Sequence, residues 1–144
     1  MTVKPDTISA DLRWPGGEMS LRFLIGPMFG LASEYQIDVI LAAGRFRGEA
    51  TSEVIDLPEF LRALERLYET LDGEARLRGY YDDGLNVVLT AKKRGRIDLG
   101  ATLGSGMYGD SDQVLSVRAQ IDQSFLPPFV TKVRQAAARG SKAL

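Results

Sequence analysis

Apolar and polar residues alternate with a period of two along much of this 144-residue chain, most regularly in its second half. Leu77 heads one such segment, and Leu85-Val87-Leu89-Ala91, Ile97-Leu99-Ala101-Leu103 and Leu115-Val117-Ala119-Ile121 follow. A period of two predicts strands with one buried and one wetted face, the pattern of an antiparallel sheet. The first half repeats the pattern. Ile8, Ala10, Leu12 and Trp14 share one face, then Met19, Leu21, Phe23 and Ile25, with Trp14-Pro15-Gly16-Gly17-Glu18 as the hairpin turn between them. Gly26 to Gly30 breaks the alternation and is read as a loop or bulge. Tyr35 to Ala42 predicts a third strand through Ile37, Val39 and Leu41. Gly44 closes it, and Arg45 to Ser52 predicts a fourth, with Phe46, Gly48 and Ala50 on one face.

The period changes to that of a helix at two places. Asp56-Leu57-Pro58-Glu59 supplies a capping carboxylate, a first-turn proline and an acidic residue three after the cap. Phe60, Leu64, Leu67, Tyr68 and Leu71 then form an apolar stripe, and Gly73 is a candidate left-handed stop. Glu59–Arg62, Arg62–Glu65 and Arg66–Glu69 are opposite charges three apart on the wet face. A second helix is predicted after Asp122 or Ser124, either of which suits a cap, with Phe125, Leu126, Phe129, Val130 and Val133 as its stripe. Lys132, Arg134 and Arg139 suit the negative end of its dipole.

Turn chemistry joins the later strands. Asp83-Gly84 and Arg94-Gly95 predict tight hairpins, and Gly104 to Asp112 a longer glycine loop. The order is therefore strands, helix, strands, helix, in two similar halves. This argues an α+β fold: an antiparallel sheet of about seven to eight strands with two helices packed on one face. Length and the lack of a linker predict a single domain over residues 1–144.

Composition then narrows the chemistry. The chain contains no histidine and no cysteine, which removes most nucleophile–base pairs and metal sites. A net charge of −1 provides no long-range field to gather nucleic acid or an anionic membrane. No apolar run approaches the roughly eighteen residues of a membrane span. Met1 to Asp6 shows no basic stretch leading into an apolar one, so cytoplasmic residence is the expectation.

Each chemistry-like motif has a simpler structural role. Gly104-Ser105-Gly106-Met107-Tyr108-Gly109 matches the dinucleotide pattern, but a strand rather than a helix is predicted behind it, so no helix N-terminus meets a pyrophosphate. Gly109-Asp110-Ser111-Asp112 resembles a serine-hydrolase nucleophile block, yet no base exists to take the proton. Asp110 and Asp112 open like a calcium loop that lacks its glycine and distal glutamate. Asp82 and Asp83 are adjacent carboxylates, but neighbours on a strand end point apart, and Asp-Gly suits a turn. Lys92-Lys93-Arg94-Gly95-Arg96 is a basic cluster without aromatic stacking residues, which reads as a solvated hairpin tip. The sequence thus nominates no catalytic, cofactor-binding or metal-binding residues and leaves any binding surface open.

A family resemblance rests on Asp56-Leu57-Pro58-Glu59-Phe60, on Leu64 and Leu67 of the same helix, on the strand–turn–strand run through Arg94-Gly95-Arg96, and on Asp122-Gln123-Ser124-Phe125-Leu126-Pro127. From about Ser33 to Arg139 the chain resembles the bacterial immunity proteins associated with wall-associated polymorphic toxins, and their bacterial relatives. The resemblance implies a small cytoplasmic α+β protein that binds a cognate toxin domain and protects its cell. It carries no catalytic residues across.

Three functions compete at this point. A non-catalytic immunity protein would show a broad face with a charged rim and an exposed apolar cluster. A small-molecule binder would show a pocket between sheet and helices, lined by aromatics such as Trp14, Phe29, Tyr35 or Phe46. An enzyme would have to work with Asp, Glu, Lys or Tyr alone, the hardest route to proton transfer near neutral pH.

Overall fold

The computed structural model describes residues 7–13, 19–29, 34–79, 84–104 and 114–142. The alternating segments form strands β1 (Ile8–Arg13), β2 (Met19–Phe29), β3 (Glu34–Ala43), β4 (Phe46–Val54), β5 (Glu74–Arg78), β6 (Asn86–Ala91), β7 (Arg96–Gly104) and β8 (Val114–Asp122). Helix α1 (Leu57–Thr70) follows β4, and α2 (Leu126–Lys142) follows β8. The class is α+β and every strand pairing is antiparallel, as the alternation predicts. The eight strands divide into two four-stranded meanders, β1-β2-β3-β4 and β5-β6-β7-β8. Helix α1 causes the division. At about 1.5 Å per residue its fourteen residues carry the chain roughly 20 Å away before β5 begins.

Register follows the apolar face. In the second sheet Val87 lies opposite Ala101 and Leu77, Leu89 opposite Leu99 and Ala75, and Ile97 opposite Ile121. All of these are buried in one core with Leu64, Leu67, Phe129 and Val133. Leu115 and Val117 on β8 are half-buried against it. The break at Gly26 is a bulge: three steps along β2, from Ile25 to Met28, answer two along β3, from Ile37 to Tyr35. The hairpin segment Trp14 to Glu18 lies outside the described residues.

The helices tie the halves together. α2, from the second half, lies against β1 and β2 of the first sheet, while α1 lies against β5 and against α2. Phe23 on β2 meets Phe129 edge-on, with ring centroids 5.3 Å apart at 70°, and Phe60 of α1 at 6.3 Å. Each such pair contributes about 0.5–1.5 kcal/mol beyond the area it buries. Arg134 Nη2 donates to Glu65 Oε2 at 2.9 Å, so Glu65 pairs across to α2.

Helix boundaries depart from expectation in three details. Asp56 places no side-chain hydrogen bond on α1, and its Oδ1 is buried without a partner among the described residues. Its backbone (φ −92°, ψ 23°) is not the extended conformation that lets a cap side chain reach back to the first turn. The left-handed stop is Leu71 (φ 55°, ψ 35°), whose N–H donates to Leu67 O at 2.8 Å, two residues before Gly73. The buried stripe of α1 is Leu57, Phe60, Leu64 and Leu67, while Tyr68 and Leu71 face outward. Before the second helix Asp122 does act as a cap, but of the 3-10 turn ahead of α2 rather than of α2 itself. Asp122 Oδ1 accepts from Ser124 N at 2.9 Å and caps a single 3-10 turn, Gln123–Phe125, that leads into α2. Pro127 and Pro128 sit in the first turn of α2, Phe129 is fully buried and Phe125 half-buried.

Candidate functional site

The aromatics nominated for a pocket do not converge. Phe29 and Phe46 lie at the two ends of β3, opposite Glu34 and Ala43. At about 3.4 Å per residue they are some 30 Å apart. Both are exposed, at 41% and 67%. Tyr35 is core: its hydroxyl faces Ala137 O at 3.5 Å, and burial raises its pKa. Trp14 lies outside the described residues, as do residues 80–83 and 105–113, which hold the carboxylate pair, the nucleophile-like block and most of the glycine motif.

The Lys92–Arg96 cluster forms the predicted hairpin tip. Arg94 (φ 64°, ψ 34°) and Gly95 (φ 74°) are both left-handed, which gives a tight turn matching the strand twist. Lys92 N donates to Arg96 O at 2.7 Å and closes the loop.

The two outer sheet faces differ in how their polar groups are met. On the first sheet, Arg22 and Ser9 both donate to Asp11 (2.9 and 3.0 Å), Thr51 donates to Asp38 at 2.7 Å, and Arg47 pairs with Glu49 at 3.2 Å. The outer face of the second sheet is a grid. Arg76, Val88, Gly100 and Arg118 form one row, and Glu74, Thr90, Asp98 and Gln120 the next. Arg76 pairs with Glu74 at 3.1 Å, and Thr102 and Ser116 share a hydrogen bond at 3.3 Å. Elsewhere on this face, among the described residues, Asn86 Oδ1 and Asp98 Oδ1 are buried without a hydrogen-bond partner and no ion pair holds Arg118.

Val88, Thr90, Asp98, Gly100, Arg118 and Gln120 line a groove of about 490 Å³ on this face. Its floor, β6 and β7, is half-buried, and its wall is formed by the exposed Arg118 and Gln120 of β8. Lys92 Nζ stands 3.9 Å from Asp98 Oδ2 and leaves Oδ1 without a donor. An acceptor and a guanidinium that are both without partners among the described residues are equipped to bind a polar or charged group. Sequence reading missed this groove because its residues are the wet positions of three strands. Only the registers Thr90–Asp98–Gln120 and Val88–Gly100–Arg118 bring them together.

A second cleft, about 360 Å³, lies where β4 approaches β7 and β8, between Arg47, Gly48, Glu49, Leu103 and Val114. Among the described residues no helix is long and apolar enough to cross a membrane.

A family model for WapI-like immunity proteins matches residues 34–139, which run from the first residue of β3 into α2 and take in the whole second sheet. Neither a curated protein nor a solved structure matches the chain.

Proposed function

This chain belongs to the WapI-like immunity protein family, and from that membership we propose that it is a non-catalytic, cytoplasmic binding protein that neutralises a cognate bacterial toxin domain. The family match carries the reading. The surface supports it, because among the described residues the outer face of the second sheet keeps two buried acceptors without donors and an arginine outside any ion pair across a broad groove. A protein partner supplies many weak polar contacts at once, which suits an open face of this kind. The docking surface in this reading is the outer face of β5–β8, with Phe46 and Val114 (67% and 68% exposed) as apolar outliers near the β4–β8 cleft.

Coexpression is the test. A toxin domain encoded beside this chain should arrest growth when expressed alone, and this chain should restore growth and copurify with it. Growth no better than with an empty vector would overturn the reading.

A further inference from the structure

Glycine in the middle of a strand weakens it and needs a reason: a bulge, a close neighbour, or a group approaching from outside. Gly26 sits at the β2 bulge with Gln36 O at 3.5 Å from where a Cβ would stand. Gly48 lies under Leu115, whose Cδ2 would be 2.6 Å from such a Cβ. Gly100 has neither reason. Its pairing with Val88 and Arg118 is unbroken, its φ is not left-handed, and a Cβ there would meet nothing within 4 Å. It lies at the centre of the outer face of the second sheet, on the floor of the groove.

We propose that the groove over Gly100 receives a cationic side chain of the protein partner, an arginine or lysine, whose charged end rests on Asp98. This rests on the toxin-binding reading for the source of that side chain. The sign of the charge comes from the unmet atom. The Asp98 side chain is 41% exposed and among the described residues its Oδ1 has no donor, whereas Arg118 is a cation already open to solvent, so a donor gains more here than an acceptor does. A protein source comes from the shape. The lining comes from three neighbouring strands of one sheet, β6, β7 and β8, and among the described residues from no other element, so nothing closes over the groove, and a free small molecule would keep much of its surface in water. A side chain held by a larger docked surface does not depend on enclosure.

The experiment uses the isotope-labelled chain, backbone amide NMR at low salt, and two probes: acetyl-arginine amide and acetyl-glutamate amide. The arginine probe should give saturable shifts centred on Asp98, Gly100 and Val88 at millimolar concentration, and the glutamate probe none there. Asp98→Asn should weaken the arginine response at least tenfold. Gly100→Val should abolish it with an undiminished melting temperature, since the new side chain enters open space. In the coexpression assay Gly100→Val should also lose protection. Absence of arginine shifts in the groove, a preference for the glutamate probe, or a Gly100→Val chain that fails to fold would each overturn the proposal. Protection without any arginine response removes the groove and leaves the immunity reading standing. An arginine response without protection keeps a cation-binding groove and removes the immunity reading, and with it the partner assigned here.

Discussion

Leu115 on β8 lies directly over Gly48 on β4: a Cβ added at residue 48 would stand 2.6 Å from Leu115 Cδ2 and 3.6 Å from Leu103 Cδ1. The two sheets approach each other closely here because one of the facing positions has no side chain. Leu115 Cδ2 is the free end of a half-buried side chain, so it is able to rotate away from a single methyl group. Gly48→Ala should therefore change stability by less than about 1 kcal/mol. Gly48→Phe should cost about 1–3 kcal/mol, the range for overpacking, because Leu103 behind it is buried and has no room to move. Denaturant melts of the two variants check this, and an Ala variant as damaged as the Phe variant would show the contact to be rigid.

Leu99 is 2% exposed, at the centre of the second sheet's inner face, opposite Leu89 and Ala119. Leu99→Ala should cost about 2–5 kcal/mol through lost burial and the cavity left behind. Val114→Ala, at a position 68% exposed, should cost less than about 0.5 kcal/mol. Equal effects in urea denaturation would contradict the register.

Asp122 holds the turn before α2 through its carboxylate, and the hydrogen bonds from Ser124 lower its pKa below the ordinary value of 3.8. A carboxyl depressed in the folded state stabilises above its unfolded pKa, and that contribution disappears as pH falls through the folded pKa. Asp122→Ala should lower the melting temperature at pH 7 and flatten the acid limb of the stability profile. Asp122→Asn keeps an acceptor for Ser124 N and should lose only the pH dependence. An Asp122→Ala chain with unchanged melting temperature but no partner binding would make this block a recognition element instead.

Asp56 is the opposite case. Burial is the largest influence on its carboxyl and raises its pKa, outweighing its backbone hydrogen bond and Arg78. A carboxyl raised in the folded state destabilises wherever it is charged, so the cost is present above its folded pKa and gone below its unfolded one. Asp56→Asn should raise the melting temperature at pH 7, with the gain closing as the pH falls below about 4, near the ordinary aspartate pKa. Thermal melts across that range measure it, and a lower melting temperature at pH 7 would mean the charge serves α1 after all.

Local chemistry made much of the fold legible. Alternation at Leu85-Val87-Leu89 is a property of consecutive residues, and so are the Arg94-Gly95 turn and the Asp122–Ser124 cap. The misses lie where local preference meets packing. Gly73 has the better chemistry for a left-handed stop, yet the last helical turn closes at Leu71, whose N–H reaches Leu67 O. Asp56 has the residue type of a cap, but its backbone turns the carboxylate into the protein, where Oδ1 finds no donor among the described residues.

The sequence by itself determined where the strands and the two helices lie and which face of each strand is apolar, because period and turn propensity are written between neighbours a few positions apart. Tertiary structure alone decided that eight strands make two sheets, that α2 returns to β1 and β2, and that Asp98, Gly100 and Arg118 share one groove. Those outcomes depend on register between strands, and register is set by which apolar faces come to share a core. Gly48 and Gly100 show the limit. Both are glycines within strands, and only the presence of Leu115 over one and open space over the other separates a packing role from a binding one.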